Sequence, residues 1–89
     1  MGRVMQLSSL DEASVDVKLA APDGAARITF EPLGDVIELA SGEHIFVRVP
    51  LAGLSSLEIY MWPNGISVWL PYPGDYAILN PEKSEIGRV

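Results

Sequence analysis

Period-two alternation in short runs, each closed by glycine or proline, constrains this chain more than any other feature. Val15, Val17 and Leu19 alternate with Asp16 and Lys18; Ile28 and Phe30 alternate with Arg27, Thr29 and Glu31. Apolar residues at every second position line one face of a strand, which is the signature of a half-buried sheet. Eight glycines and seven prolines are spread along the 89 residues as punctuation between runs of five or six residues. That spacing predicts an all-β domain, a single antiparallel sandwich or flattened barrel of six to eight short strands, mostly joined by hairpins. The one helix candidate, Ser8–Ala13, has capping-box spacing at Ser9 and Glu12 and room for a single turn. The expected organisation is an N-terminal arm over residues 1–14, a β domain over 15–79, and a frayed tail over 80–89 that holds Pro81 and mixed charge.

The turns fix an expected register. Pro22-Asp23-Gly24 is strong turn chemistry and joins the first two strands. Glu31-Pro32-Leu33-Gly34-Asp35 is a connection, because Pro32 cannot donate to a ladder. A loop at Ser41-Gly42-Glu43 sets Leu39 opposite Ile45 and Ile37 opposite Val47. Pro50–Ser55 reads as a loop that crosses between sheets. Asn64-Gly65 is the strongest hairpin signal in the chain. Pro71, Pro73 and Gly74 make a bend before a last short strand at Tyr76–Leu79. The expected core is Val15, Val17, Leu19, Ile28, Phe30, Ile37, Leu39, Ile45, Val47, Val49, Leu57, Ile59, Met61, Ile66, Val68, Leu70 and Ile78. With no segment long enough for a crossover helix, all pairs are expected to be antiparallel.

The Asn64-Gly65 hairpin carries the one feature that exceeds an ordinary core. Counting outward from that turn, Met61 faces Val68 and Ile59 faces Leu70 on the inner surface. Tyr60 then faces Trp69 on the opposite surface, with Trp62 diagonal to Trp69. An antiparallel sheet with a wet face normally places small polar or charged residues there. Three large aromatics on that face imply cover, cross-strand aromatic pairing that stabilises the hairpin, or recognition. The cover is another part of the chain, such as Met1–Leu10, or a second copy. As a recognition surface, the rings offer contact area at low entropic cost, with Tyr72 and Tyr76 extending the patch. A sugar, a proline-rich segment or a protein surface fits such a patch equally well. The function expected from the sequence is therefore a non-enzymatic binding module that associates with a protein partner or with itself through Tyr60, Trp62, Trp69 and Tyr72.

Composition excludes several other classes. Twelve acidic and six basic residues give a formal net charge of −6, and Arg3, Lys18, Arg27, Arg48, Lys83 and Arg88 are scattered. Nucleic acid and anionic membrane surfaces both call for clustered cations, so neither is an expected partner. No run reaches the roughly 20 apolar residues of a spanning helix. Residues 1–14 lack the apolar stretch of a signal peptide, which makes the cytoplasm the expected compartment. Without cysteine there is no thiolate metal site, and His44 is the sole imidazole; no cofactor is expected. The alternative enzyme reading places a small-molecule site at the mouth of the barrel near His44 and Glu31, and needs that imidazole beside a carboxylate. Glu31, Asp35 and Glu38 are the densest acidic group, read as a solvated rim. A further alternative is an acidic inhibitor or immunity-type protein, which needs its carboxylates in a dense stripe.

The run Ile28-Thr29-Phe30-Glu31-Pro32-Leu33-Gly34, followed by Leu39-Ala40-Ser41-Gly42-Glu43 and Gly65-Ile66-Ser67-Val68-Trp69, resembles small uncharacterised bacterial proteins of actinobacterial type. These carry a Phe-Glu-Pro-x-Gly turn, a Leu-x-x-Gly-Glu turn and an aromatic hairpin. The likeness spans Ile28–Asp75 and consists mostly of turn chemistry. It implies a cupredoxin-like or cupin-like β fold. Metal-binding relatives of such folds use several His or a Cys, so no metal role transfers to a chain with one His and no Cys.

Overall fold

The computed structural model describes residues 13–71 and 74–89. The chain forms eight strands: β1 (Ser14–Ala20), β2 (Ala26–Glu31), β3 (Asp35–Leu39), β4 (His44–Pro50), β5 (Glu58–Trp62), β6 (Gly65–Trp69), β7 (Ala77–Leu79) and β8 (Glu85–Arg88). A 3₁₀ helix over Leu51–Ser56 links β4 to β5. The strands make two four-stranded sheets, ordered β1-β4-β7-β8 and β3-β2-β6-β5. Their inner faces meet in one core that includes Leu19, Ile28, Phe30, Leu39, Ile45, Val47, Val49, Val68, Leu70 and Ile78. The all-β, sandwich-like fold is the class that the alternation implies.

Within that class the connections differ from the expectation. Hairpins join β2 to β3, β5 to β6 and β7 to β8. The other four connections cross between sheets, so hairpins are not the main link. β1 does not return onto β2 through Pro22-Asp23-Gly24, and β3 does not pair with β4. Instead β1 pairs with β4, setting Val15, Val17 and Leu19 against Val49, Val47 and Ile45. Leu39 and Ile45 share the core from opposite sheets. Alternation states only that a side chain points inward, and two strands facing each other across a core satisfy it as well as two side by side. The crossing turns hold one another. Ala21 N donates to Glu43 O at 2.9 Å, Gly42 N to Ala21 O at 2.6 Å, and Gly24 N to Ser41 Oγ at 3.0 Å.

The expectation that every pair is antiparallel fails at the centre of the second sheet. β2 and β6 run parallel, with Ile28 beside Ile66 and Phe30 beside Val68. A parallel pair needs a crossover between its strands. Here the crossover is made by the chain running out to β4 in the other sheet and back through the 3₁₀ helix, not by an α-helix.

The expected frayed tail is structured. β8 adds to β7, and Val89 exchanges both backbone hydrogen bonds with Tyr76 at 3.0 and 2.9 Å. Asn80 closes the turn: its Oδ1 accepts from Ser84 N at 2.9 Å, and its backbone pairs with Lys83 and Ser84. From that turn Lys83, at a left-handed φ of 65°, reaches back over the outer face of the first sheet. Its Nζ lies 4.8 Å from the centre of the Phe46 ring and 3.4 Å from Asp16 Oδ2. Asp16 also accepts from Arg48 at 2.8 Å. The Arg48 hydrogen bond, assisted by Lys83 and opposed by partial burial, holds the Asp16 carboxyl below the usual carboxylate range.

The core is smaller at one margin and larger at the other than the alternation implies. Val15, Val17, Ile37, Leu57 and Ile66 are half-buried. Ile59 and Met61 are exposed, which corrects their assignment to the core. Ala21, Tyr76, Ala77 and Leu79 are buried. Tyr76 is held by its hydroxyl, which donates to the Pro71 carbonyl, and burial raises its pKa. The helix candidate at Ser8–Ala13 lies almost wholly outside the described residues.

Candidate interaction surface

The outer half of the second sheet is built by the β5–β6 hairpin. Pro63 sits at the first position of its two-residue loop, where its fixed φ suits a turn, and Trp62 pairs with Gly65. The loop is therefore Pro63-Asn64, one residue earlier than Asn64-Gly65. Asn64 is not among the positive-φ residues, so the turn is not the type I′ form that Asn-Gly favours. The shift brings Tyr60 opposite Ser67 and Glu58 opposite Trp69. It moves every cross-strand partner by two positions, so faces are preserved.

Tyr60, Trp62 and Trp69 accordingly share the outer face, as the alternation predicts, and all three are exposed. Trp62 Nε1 donates to Ser67 Oγ at 2.9 Å, which holds that indole down along the sheet. Tyr60 donates to Glu58 Oε1 at 3.1 Å. That bond, with the charge of Glu58, raises the Tyr60 pKa. Trp69 has Glu31 beside it on β2 and Glu58 beside it on β5. Across the same face, toward β3, the surface turns polar: Arg27 meets Glu38 at 2.6 Å. Gly65 lies where the two halves join. A Cβ there would stand 2.1 Å from the Arg27 carbonyl oxygen, so glycine is what allows β2 and β6 to close at this point.

The patch does not stop at the outer face. β5 is the terminal strand of its sheet and none of its five residues is buried. Ile59 and Met61 point to the inner side, but the opposite sheet does not reach far enough to cover them. The exposed fractions are 44% for Ile59, 48% for Tyr60, 84% for Met61, 57% for Trp62 and 42% for Trp69. Alternation gave the orientation of Ile59 and Met61 and could not show how exposed they are.

Tyr72, the fourth aromatic of the expected surface, lies outside the described residues. His44 and Glu31, the alternative site, are not brought together. His44 follows the turn from Leu39, which pairs with Ala26 at the start of β2, whereas Glu31 ends β2. Five strand steps separate those two ends, about 17 Å. His44 instead sets its ring edge-on to Phe46, with centroids 5.4 Å apart. Glu43 accepts from Ala40 N at 2.7 Å and serves its own turn. Glu31 borders a cavity of about 20 Å³ lined also by Phe30, Leu70 and Tyr76, room for one water. Among the described residues no three His, Cys, Asp or Glu stand close enough to hold a metal ion. No helix among them is long and apolar enough to cross a membrane.

No protein-family model matches the chain, and neither a curated protein nor a solved structure matches it.

Proposed function

We propose that this protein is an interaction module that associates with a second copy of itself through the β5–β6 surface. The observation that carries the reading is the run of four large apolar side chains on β5, exposed on both faces of the strand and joined by Trp69 from β6. Soluble monomers seldom leave contiguous apolar patches of more than a few hundred Å² in water. Taking about 200 Å² for a whole large side chain, these exposed fractions leave on the order of 550 Å² on each copy. Two copies covering it would hide up to roughly 1,100 Å², above ordinary packing contacts and at the lower end of specific interfaces. The net charge of −6 on each copy opposes association and is screened beyond about 8 Å at physiological salt, which suits a reversible contact.

Sedimentation velocity over a concentration series tests the reading. The wild type is expected to move from monomer toward dimer as concentration rises, and Trp69→Ala to remain monomeric at concentrations where the wild type is paired. Trp69 is exposed and outside the core, so its replacement is expected to leave the thermal midpoint nearly unchanged. A wild type that stays monomeric throughout the series contradicts the reading.

A further inference from the structure

We infer that the two copies meet edge to edge along β5, antiparallel about a two-fold axis at Tyr60, and so merge two four-stranded sheets into one of eight strands. This rests on the self-association proposed above and adds its mode and register.

The backbone decides which groups β5 offers. Arg27 N donates to Asn64 O at 3.2 Å, and Leu70 N donates to Glu31 O at 3.1 Å. In a parallel ladder a residue bonds to the two residues flanking its partner. Ile66 and Val68 therefore direct their amides and carbonyls to β2, while Gly65, Ser67 and Trp69 direct theirs to β5. Their partners Trp62, Tyr60 and Glu58 are bonded inward. Ile59 and Met61 then point their N–H and C=O groups away from β6, four groups on an edge that no strand among the described residues pairs with.

The other three edges carry the charges that discourage pairing. β1 has Asp16 and Lys18, β3 has Asp35 and Glu38, and β8 has Glu85 and Arg88. β5 has one charge, Glu58, at its first position. It has no lysine, and Pro63 stands beyond its end.

A second copy satisfies this edge in one register better than in its neighbours. Ile59 set opposite Met61 of the second copy, and Met61 opposite its Ile59, pairs all four outward groups of each copy in four hydrogen bonds. Tyr60 then faces itself, and Glu58 faces Trp62. Centring on Ile59 would recruit Leu57, whose N–H already goes to Leu54 O at 3.2 Å. It would also set the two Glu58 carboxylates only two residues apart. Centring on Met61 would place Pro63 where a donor is needed. In the Tyr60-centred register the Glu58 carboxylates are offset by four residues, about 13 Å, beyond the screening length. Edge pairing sets Ile59 beside Met61 of the second copy on one surface of β5 and Tyr60 beside its counterpart on the other, whereas stacking on the outer face would give Ile59 and Met61 no neighbour from the second copy.

Two variants test this. The chain has no cysteine, so Tyr60→Cys introduces a single thiol. In the inferred register it opposes its own copy in a non-hydrogen-bonded pair, with Cα atoms about 4.5 Å apart, within disulfide reach. Tyr60→Cys is expected to form a disulfide dimer under mild oxidation at least tenfold faster than Ser67→Cys, one strand further in. Met61→Pro removes an outward N–H without touching the β5–β6 ladder and is expected to abolish the dimer. If Trp69→Ala is monomeric while Met61→Pro still pairs, the edge inference is overturned and the self-association stands. Equal crosslinking rates for the two cysteine variants also overturn it, whether or not Met61→Pro folds.

Discussion

Gly65→Ala is expected to destabilise the protein by about 3 kcal/mol, at the upper end of overpacking costs, although it adds one methyl group at a half-exposed position. The added Cβ would meet three backbone atoms of one β2 residue: Arg27 O at 2.1 Å, Arg27 C at 3.0 Å and Arg27 N at 3.1 Å. A side chain in its path could turn aside, but a strand can yield only by moving away. Relief therefore means opening the β2–β6 pair at its start, next to the Arg27 N–Asn64 O bond. For a domain of this size the loss corresponds to roughly 12–24 °C in the thermal midpoint. A thermal melt checks it, and a fall of only a few degrees would mean that β2 and β6 are not in parallel contact as described.

Phe30→Ala is expected to cost about 3–5 kcal/mol, the usual range for emptying a buried aromatic site. Phe30 is 1% exposed, beside Val68 in its own sheet and within the cluster that both sheets share. Total stabilities of small domains are about 5–15 kcal/mol, so the variant should lose a large share of its margin against unfolding. The informative contrast is Met61→Ala, expected to change stability by less than about 0.5 kcal/mol. Both residues belong to the same alternating class in the sequence, and only the position of their strands separates them. Urea denaturation of the two variants side by side measures that difference directly.

That contrast marks how far the sequence could be read. The outward placement of Tyr60, Trp62 and Trp69 was legible because side chains alternate strictly along a strand, and a two-position change of register leaves faces untouched. Seven strand positions were legible for the same reason. Which strands are neighbours was not. Leu39 and Ile45 look the same to an alternation argument whether they adjoin within one sheet or meet across the core, and the second arrangement is the one formed. The parallel β2–β6 pair stayed hidden because its crossover is made of strands and a 3₁₀ helix. β8 was hidden by Pro81 and by the charges of Glu82, Lys83 and Glu85, which read as a solvated tail. They are instead the turn and outer side of an edge hairpin, anchored at Lys83 by Phe46 and Asp16. For the candidate surface, the aromatic trio was found from the sequence, while the exposure of Ile59 and Met61 depends on where the facing sheet ends, a property no local pattern encodes.

The central claim is that β5 is an edge completed by a second copy, and amide hydrogen exchange at Ile59 and Met61 tests it most directly. The expected result is slow exchange at both amides in concentrated solution and fast exchange on dilution. The Tyr60 amide, bonded to β6, should stay protected at both concentrations. Equally fast exchange at Ile59 and Met61 across the concentration range would contradict the account, and so would equal protection in a solution that sediments as monomer.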